Sequence, residues 1–226
     1  MRVQRRLSGG ITLIGNYIFS KLMDQTTWLN DTDPRPEKRI GVFDHTHRGV
    51  ITLTYALPVG KGRPLAIQSR WLNALVGGWQ LNAICTKQTS PALHLDGTSS
   101  TTIGDLVYFG QPLVFNPRET NGLAFNTSAF DTKTADQFAY HIRTFSTTFS
   151  SLRGDGINEV NASMLKKVDF TDSGKRYFQL RFETFNLFNH PSFVFPLLAP
   201  TNSAFGLITA QSNRSRSIQL TGRIVF

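Results

Sequence analysis

Six stretches of the chain alternate residue by residue between two kinds of side chain, and that period of two is what most restricts its fold. The last is the cleanest: Ile218, Leu220, Gly222, Ile224 and Phe226 interleave with Ser217, Gln219, Thr221, Arg223 and Val225. Successive side chains of a strand point to opposite faces, so each such run reads as a ribbon with one apolar side and one polar or mixed side, Ile14 and Ile18 standing among Thr12, Asn16 and Ser20 in the first run. The others are 11–20, 48–57, 78–86, 158–168 and 177–184. In these, Leu13, Leu53, Leu81, Met164 and Phe182 fall on the apolar side, and Thr12, Thr54, Asn82, Ser163 and Glu183 on the polar side. One or two further strands are expected within 105–115 or 65–69. Helical periodicity is scarce, so the chain reads as all-β.

The connections alternate in length. Segments 23–46, 87–157 and 185–216 are long; 58–77 is intermediate; 169–176 holds a tight Thr171-Asp172-Ser173-Gly174 turn. Long loops at one end and short turns at the other are how an antiparallel membrane barrel is connected. Most of the runs approach the roughly 9–11 tilted residues that cross a bilayer as a strand. The polar sides carry Thr, Asn, Gln, Ser and scattered Arg, with few Lys/Glu pairs. Such a surface suits a barrel lumen better than the charge-laden outside of a sandwich. Tyr17, Phe19, Tyr55, Trp79, Phe182 and Phe226 are read as a girdle at headgroup depth. A secreted or surface β-sandwich that binds glycans or acts as an adhesin would alternate too, and stays open at this point.

Composition closes other routes. Charged residues are 17% and hydrophobic ones 40%, which excludes a disordered chain. One cysteine, Cys85, excludes an internal disulfide, and no apolar run reaches the roughly 18 residues of a spanning helix. The N-terminus, Met1-Arg2-Val3-Gln4-Arg5-Arg6, is basic, but a lone Leu7 and Ser-Gly-Gly follow it, so no leader is read there. The net charge of +9 is spread out instead of gathered on one face or helix, and nucleic acid is not expected as a partner.

Ordered blocks then carry a resemblance. They are Tyr17-Ile18-Phe19-Ser20-Lys21, Asp44-His45-Thr46-His47-Arg48, Tyr55-Ala56-Leu57-Pro58-Val59-Gly60-Lys61-Gly62 and Gly77-Gly78-Trp79-Gln80-Leu81. Leu152-Arg153-Gly154-Asp155-Gly156-Ile157-Asn158 follows, and then Arg181-Phe182-Glu183-Thr184-Phe185-Asn186-Leu187-Phe188-Asn189-His190-Pro191. In this order they resemble the C-terminal barrel of Oar-like TonB-dependent outer-membrane transporters, and Asn186, Phe188, Asn189, His190 and Pro191 belong to the most specific block. The resemblance implies a leader, a TonB-contacting segment, a plug and about 22 strands, within the range of such barrels. Six strands are fewer than the about eight that close a barrel, so residues 1–226 are read as a C-terminal portion without plug or leader.

The resemblance also implies partners: the remaining strands and plug, the outer-membrane assembly machinery, outer-membrane lipid, and TonB only through the N-terminal region. The chain's end is similar to an assembly signal, in which Gln219, Gly222, Ile224 and Phe226 fit while Thr221 stands where the pattern has its Gly. Arg48, Arg181 and Arg223 are placed on the lumen side, with Glu159 and Glu183 as ion-pair partners. Loop 87–157 is the expected place for ligand contact.

His45-x-His47 has no third ligand nearby for zinc. Ser163-x-x-Lys166 has a serine–lysine spacing that works only on a helix, and here it falls on a strand. Arg153-Gly154-Asp155 sits in a glycine-rich turn, and Gly60-Lys61-Gly62 lacks a phosphate-loop frame. The expectation is a non-enzymatic chain without metal or cofactor.

Overall fold

The computed structural model describes residues 1–7, 9–95, 108–113, 122–136, 142–143, 146–171 and 174–226. In chain order the elements are β1 (Arg2–Leu7), β2 (Ile11–Phe19), β3 (Met23–Asp24), β4 (Arg39–Ile40), β5 (His47–Ala56), α1 (Arg70–Val76), β6 (Trp79–Gln88), β7 (Ala92–His94), β8 (Thr148–Arg153), β9 (Ile157–Asp169), β10 (Tyr177–Phe185) and β11 (Ser217–Val225). Seven of them form one antiparallel sheet in the order β1-β2-β5-β6-β9-β10-β11, while β3–β4 and β7–β8 pair separately inside long connections. All six expected strands are present, with ends shifted by at most two residues.

The seventh, β1, occupies the basic N-terminus. Its period is hidden in the sequence because Arg2, Gln4, Arg5 and Arg6 leave only Val3 and Leu7 apolar in the stretch. No strand forms at 65–69, where Leu65 makes one isolated bridge with Val59. Within 105–115, Tyr108 makes one isolated bridge with Phe130, and 105–107 and 114–115 lie outside the described residues. The helix α1 was not anticipated. In the tight turn, Gly174 N–H donates to Thr171 O at 3.0 Å, and Asp172 and Ser173 lie outside the described residues.

Register turns the strand patterns into continuous rows. Ile11, Tyr55, Leu81, Met164, Phe182 and Leu220 stand side by side across six strands. The neighbouring positions, on the other face, read Thr12, Thr54, Asn82, Ser163, Glu183 and Gln219. A slip of one residue in any strand would exchange the faces, so the match across all six fixes the register strongly.

The apolar face is not covered. Leu53 is 37% exposed, Leu81 41%, Phe182 39% and Ile224 59%, where a stacked sandwich would bury all four. Among the described residues, every fully buried hydrophobic side chain lies outside the seven strands. The dry core sits in the connections instead: Leu93, Leu95, Leu113, Phe125, Ala129, Phe130, Leu152 and Phe205 pack together. Phe125, Phe130 and Phe205 meet edge to face with centroids 5.2–5.9 Å apart. The sheet is thus a single layer with one oily face, and the long loops form a separately packed cap at one end.

That cap gathers the described residues of 20–46, 89–156 and 186–216, whereas the described residues of 8–10, 57–78 and 170–176 lie at the other end. The aromatic positions follow the two ends only in part. Tyr17 and Phe19 lie beside His47 at the cap end and Trp79 opens β6 at the other, but Phe182 lies in the middle of β10, not at a strand end.

Candidate functional site

The site with the most built-in structure is the junction between cap and sheet. It begins where β10 ends. Asn186 and Asn189 both take left-handed backbone angles, φ 51° and 53°, a region Asn enters more readily than other non-glycine residues. The buried Asn186 side chain then ties the turn together. Its Nδ2 donates to His190 O and Arg214 O, both at 3.1 Å, and its Oδ1 accepts from His190 N–H at 2.9 Å. Asn161 Oδ1, on the neighbouring β9, accepts Asn186 N–H at 2.8 Å. Asn189 Oδ1 accepts Arg216 N–H at 2.8 Å and so sets the entry of β11. Pro191 follows half-buried, and Phe188 is exposed. The motif is therefore a clasp that joins the cap ends of β9, β10 and β11.

A second tie joins the other loops. Asp44 is fully buried ahead of β5, and Arg153 ends β8. Arg153 Nη2 lies 2.9 Å from Asp44 Oδ2, and its Nη1 donates to Ser90 O at 2.9 Å. Asp44 also accepts Leu22 N–H at 2.7 Å and the Thr46 hydroxyl at 2.8 Å. Burial alone pushes the Asp44 carboxyl up. The Leu22 amide, the Arg153 guanidinium and the Thr46 hydroxyl outweigh it and hold the group below its ordinary value. Two residues on, Asp155 Oδ2 accepts Phe193 N–H at 3.1 Å and brings in the third loop. Gly156 is required at this crossing: a Cβ there would come within 2.4 Å of Gln88 O. The Arg153-Gly154-Asp155 tripeptide is thus a structural splice among three loops.

Beneath the splice lies a groove of about 670 Å³, on the apolar side of the sheet where the strands meet the cap. Tyr17, His47, Lys87, Arg153, Asp155 and His190 are among the residues that line it. Tyr17 Oη and His47 Nδ1 are 2.8 Å apart. Its hydroxyl, imidazole and ammonium groups can hydrogen-bond a polar or anionic group, and Arg153 is already engaged by Asp44.

The histidines of His45-x-His47 take separate partners: His45 Nδ1 lies 2.9 Å from Thr89 O, and His47 stacks on Tyr17. Among the described residues no group of three or more His, Cys, Asp or Glu side chains could hold a metal ion. Ser163 and Lys166 point to opposite faces of β9. Ser163 accepts from Asn82 at 3.2 Å, and Lys166 donates to Gly77 O.

The three arginines all fall on the polar face, but they do not gather. Arg48 reaches Gln88 at the cap end, while Arg181, 2.8 Å from Glu183, and Arg223 lie toward the opposite end. Glu159 bonds Asn161 at 2.7 Å and not an arginine. At the chain's end, Gln219 is on the polar face opposite Glu183, whereas Gly222 and Ile224 are on the apolar face beside Leu180 and Phe178; Phe226 is exposed beyond β11. Of loop 87–157, much lies outside the described residues; within the described part, Arg143 N–H donates to Asn30 Oδ1 at 2.7 Å and so ties this loop to 20–46. Sequence reasoning passed over Asp44 and Arg153 as a pair because they stand 109 residues apart, in two separate sequence blocks that nothing local links.

A family model described as an outer membrane beta barrel domain matches residues 1–219. No curated protein and no solved structure matches the chain.

Proposed function

Because the chain belongs to the outer membrane beta barrel domain family, we propose that it supplies wall strands and outer loops to an Oar-like TonB-dependent transporter in a bacterial outer membrane. The observation that carries this reading is the seven-stranded meander itself. Its apolar rows are exposed on one face, its long loops are collected at one end, and β1 and β11 each pair on one side only. Open strand edges in hydrocarbon cost several kcal/mol per unsatisfied group, so a wall of this kind is completed by further strands. The ordered sequence blocks support the narrower assignment, and the clasp built by Asn186 and Asn189 gives the most specific block a physical role.

In this reading the apolar face meets acyl chains and the polar face lines a lumen that a plug fills. The cap end is extracellular, as long loops are in such barrels. Solute is held by cap and plug, TonB acts through the N-terminal region of such transporters, and this part of the wall carries no catalysis. Arg181 is neutralised by Glu183, while Arg48 and Arg223 bias the lumen toward anionic solutes. The exposed edge of β11, with Gln219, Gly222, Ile224 and Phe226, offers the assembly machinery a strand to pair with. The test is uptake by cells carrying the gene, with and without TonB. Accumulation of a solute that disappears when TonB is deleted supports the transporter; accumulation that is indifferent to TonB overturns it and leaves a passive barrel.

A further inference from the structure

The connection 57–78 holds a helix built the wrong way round for water. α1 has seven residues, Arg70–Val76, too few to be stable alone. Trp71, Leu72, Leu75 and Val76 occupy one broad side of it and all are exposed, Trp71 at 85% and Leu75 at 72%. The side turned to the protein carries Asn73, whose Oδ1 accepts Lys61 N–H at 2.8 Å. A helix docked on an aqueous surface buries its apolar stripe and exposes its polar one. Here the arrangement is reversed.

Its position explains the reversal. Trp79 and Lys166 are register partners in the row next but one to Leu81 and Met164, so they share the apolar face of the sheet. Both reach the C-terminal end of α1: Trp79 Nε1 donates to Leu75 O at 3.1 Å and Lys166 Nζ to Gly77 O. The helix therefore lies against the outside of the wall, not under the lumen. Lys166, the cation on an otherwise oily row, sits 5.3 Å from the Trp79 ring centroid and is covered by this end of the helix. Gly78 permits the close approach, with φ +70° and room for no Cβ, which would fall 2.4 Å from Lys167 O. The connection's charges, Lys61, Arg63 and Arg70, are all positive.

We infer that α1 is an interfacial anchor: Trp71, Leu72, Leu75 and Val76 enter the headgroup–acyl boundary of the leaflet at the short-turn end, and Lys61, Arg63 and Arg70 meet anionic phospholipid headgroups. The occupant of this helix face is lipid, because the face continues the lipid-facing rows of the sheet past the strand ends. Apolar burial at the boundary combined with basic residues is how amphipathic helices hold a membrane surface. The inference rests on the barrel reading.

Nitroxide labels test it, placed one at a time at positions 53, 70, 71 and 75 after Cys85→Ser. The host is the full barrel containing these strands, in vesicles of phosphatidylethanolamine and phosphatidylglycerol. Collision with oxygen, which concentrates in lipid, is compared with collision with a water-soluble nickel chelate. The expected result is a severalfold preference for oxygen at 53, 71 and 75, and for nickel at 70. Oxygen preference at 53 with nickel preference at 71 and 75 overturns the anchor and leaves the barrel intact. Nickel preference at 53 overturns the barrel reading itself. Labels at 71 and 75 reached by neither reagent would mean that protein covers the helix, which also overturns the anchor. The labelled positions 71 and 75 are exposed, so folding is not perturbed, and heat-modifiable migration in gels verifies it for each variant.

Discussion

Replacing Arg153 by alanine isolates the splice that holds the cap. Asp44 is fully buried and keeps two other donors, the Leu22 amide and the Thr46 hydroxyl, so the variant leaves a desolvated carboxylate only partly satisfied. Breaking a buried ion pair from one side costs about 3–5 kcal/mol. The Arg153 side chain retains 22% exposure, which places the change near the lower end of that range. Ser90 O also loses its donor, at about 1 kcal/mol. Together this is about 4 kcal/mol. At about 1.4 kcal/mol per factor of ten, cap amides that exchange through opening of this unit lose protection by roughly 700-fold. The loss is local, because the cap core shares no buried hydrophobic residue with the seven strands. Hydrogen exchange followed by mass spectrometry reads it out. Peptides carrying Leu93, Leu95 and Leu152 should exchange much faster, and peptides from β5, β9 and β10 should hold their rates. Unchanged cap protection, or loss spread evenly through the strands, would refute the reasoning.

The same carboxylate gives the cap a pH dependence. Its value in the folded protein lies below its unfolded value of about 3.9, so its contribution is fully present above about pH 4 and is lost as the pH falls through the folded value. Cap protection factors, taken against the intrinsic exchange rate at each pH, should therefore fall below pH 4 in the wild type, and Asp44→Asn should flatten that fall. Gly156→Ala should destabilise the β6–β9 junction by about 1–3 kcal/mol, since the added methyl must displace the Gln88 carbonyl; faster exchange at 86–88 is the readout. Asn186→Ala removes the side-chain bonds to His190 and Arg214 and places a Cβ-only residue at φ 51°, a cost of about 2–4 kcal/mol. Protease should then cut within 186–216, and a pattern like that of the wild type would count against the clasp.

The sheet was legible in the sequence for a simple reason. A strand that separates two different media must alternate, and 217–226 does so most cleanly, while 11–20 and 48–57 keep one apolar side although Ile14, Ile18 and Val50 interrupt the other. β1 failed the same reading because Arg2, Gln4, Arg5 and Arg6 mask its period. α1 was missed because Ser69 to Val76 offers barely two turns, between a Pro/Gly-rich stretch and Gly77-Gly78, too short for a helical period to emerge. The cap was hidden for a different reason. Leu93, Phe125, Leu152 and Phe205 come from distant parts of irregular loops, and nothing local marks them as one core. The clasp fell between these cases: Asn186 to Pro191 stood out as part of a motif block, but that both asparagines take left-handed angles was visible only in three dimensions.

Which face of the sheet meets lipid can be measured at two adjacent residues. Leu53 and Thr54 are neighbours in β5 on opposite faces, so arginine at each puts the same charge at the same depth on either side of the wall. On a lipid-facing site an arginine near mid-bilayer costs about 2–4 kcal/mol. Folding into phospholipid vesicles, followed by equilibrium denaturation, measures both variants directly. The account predicts that Leu53→Arg loses about 2–4 kcal/mol or fails to insert, while Thr54→Arg stays within about 1 kcal/mol of the wild type. Equal losses, or the larger loss at Thr54, would contradict it.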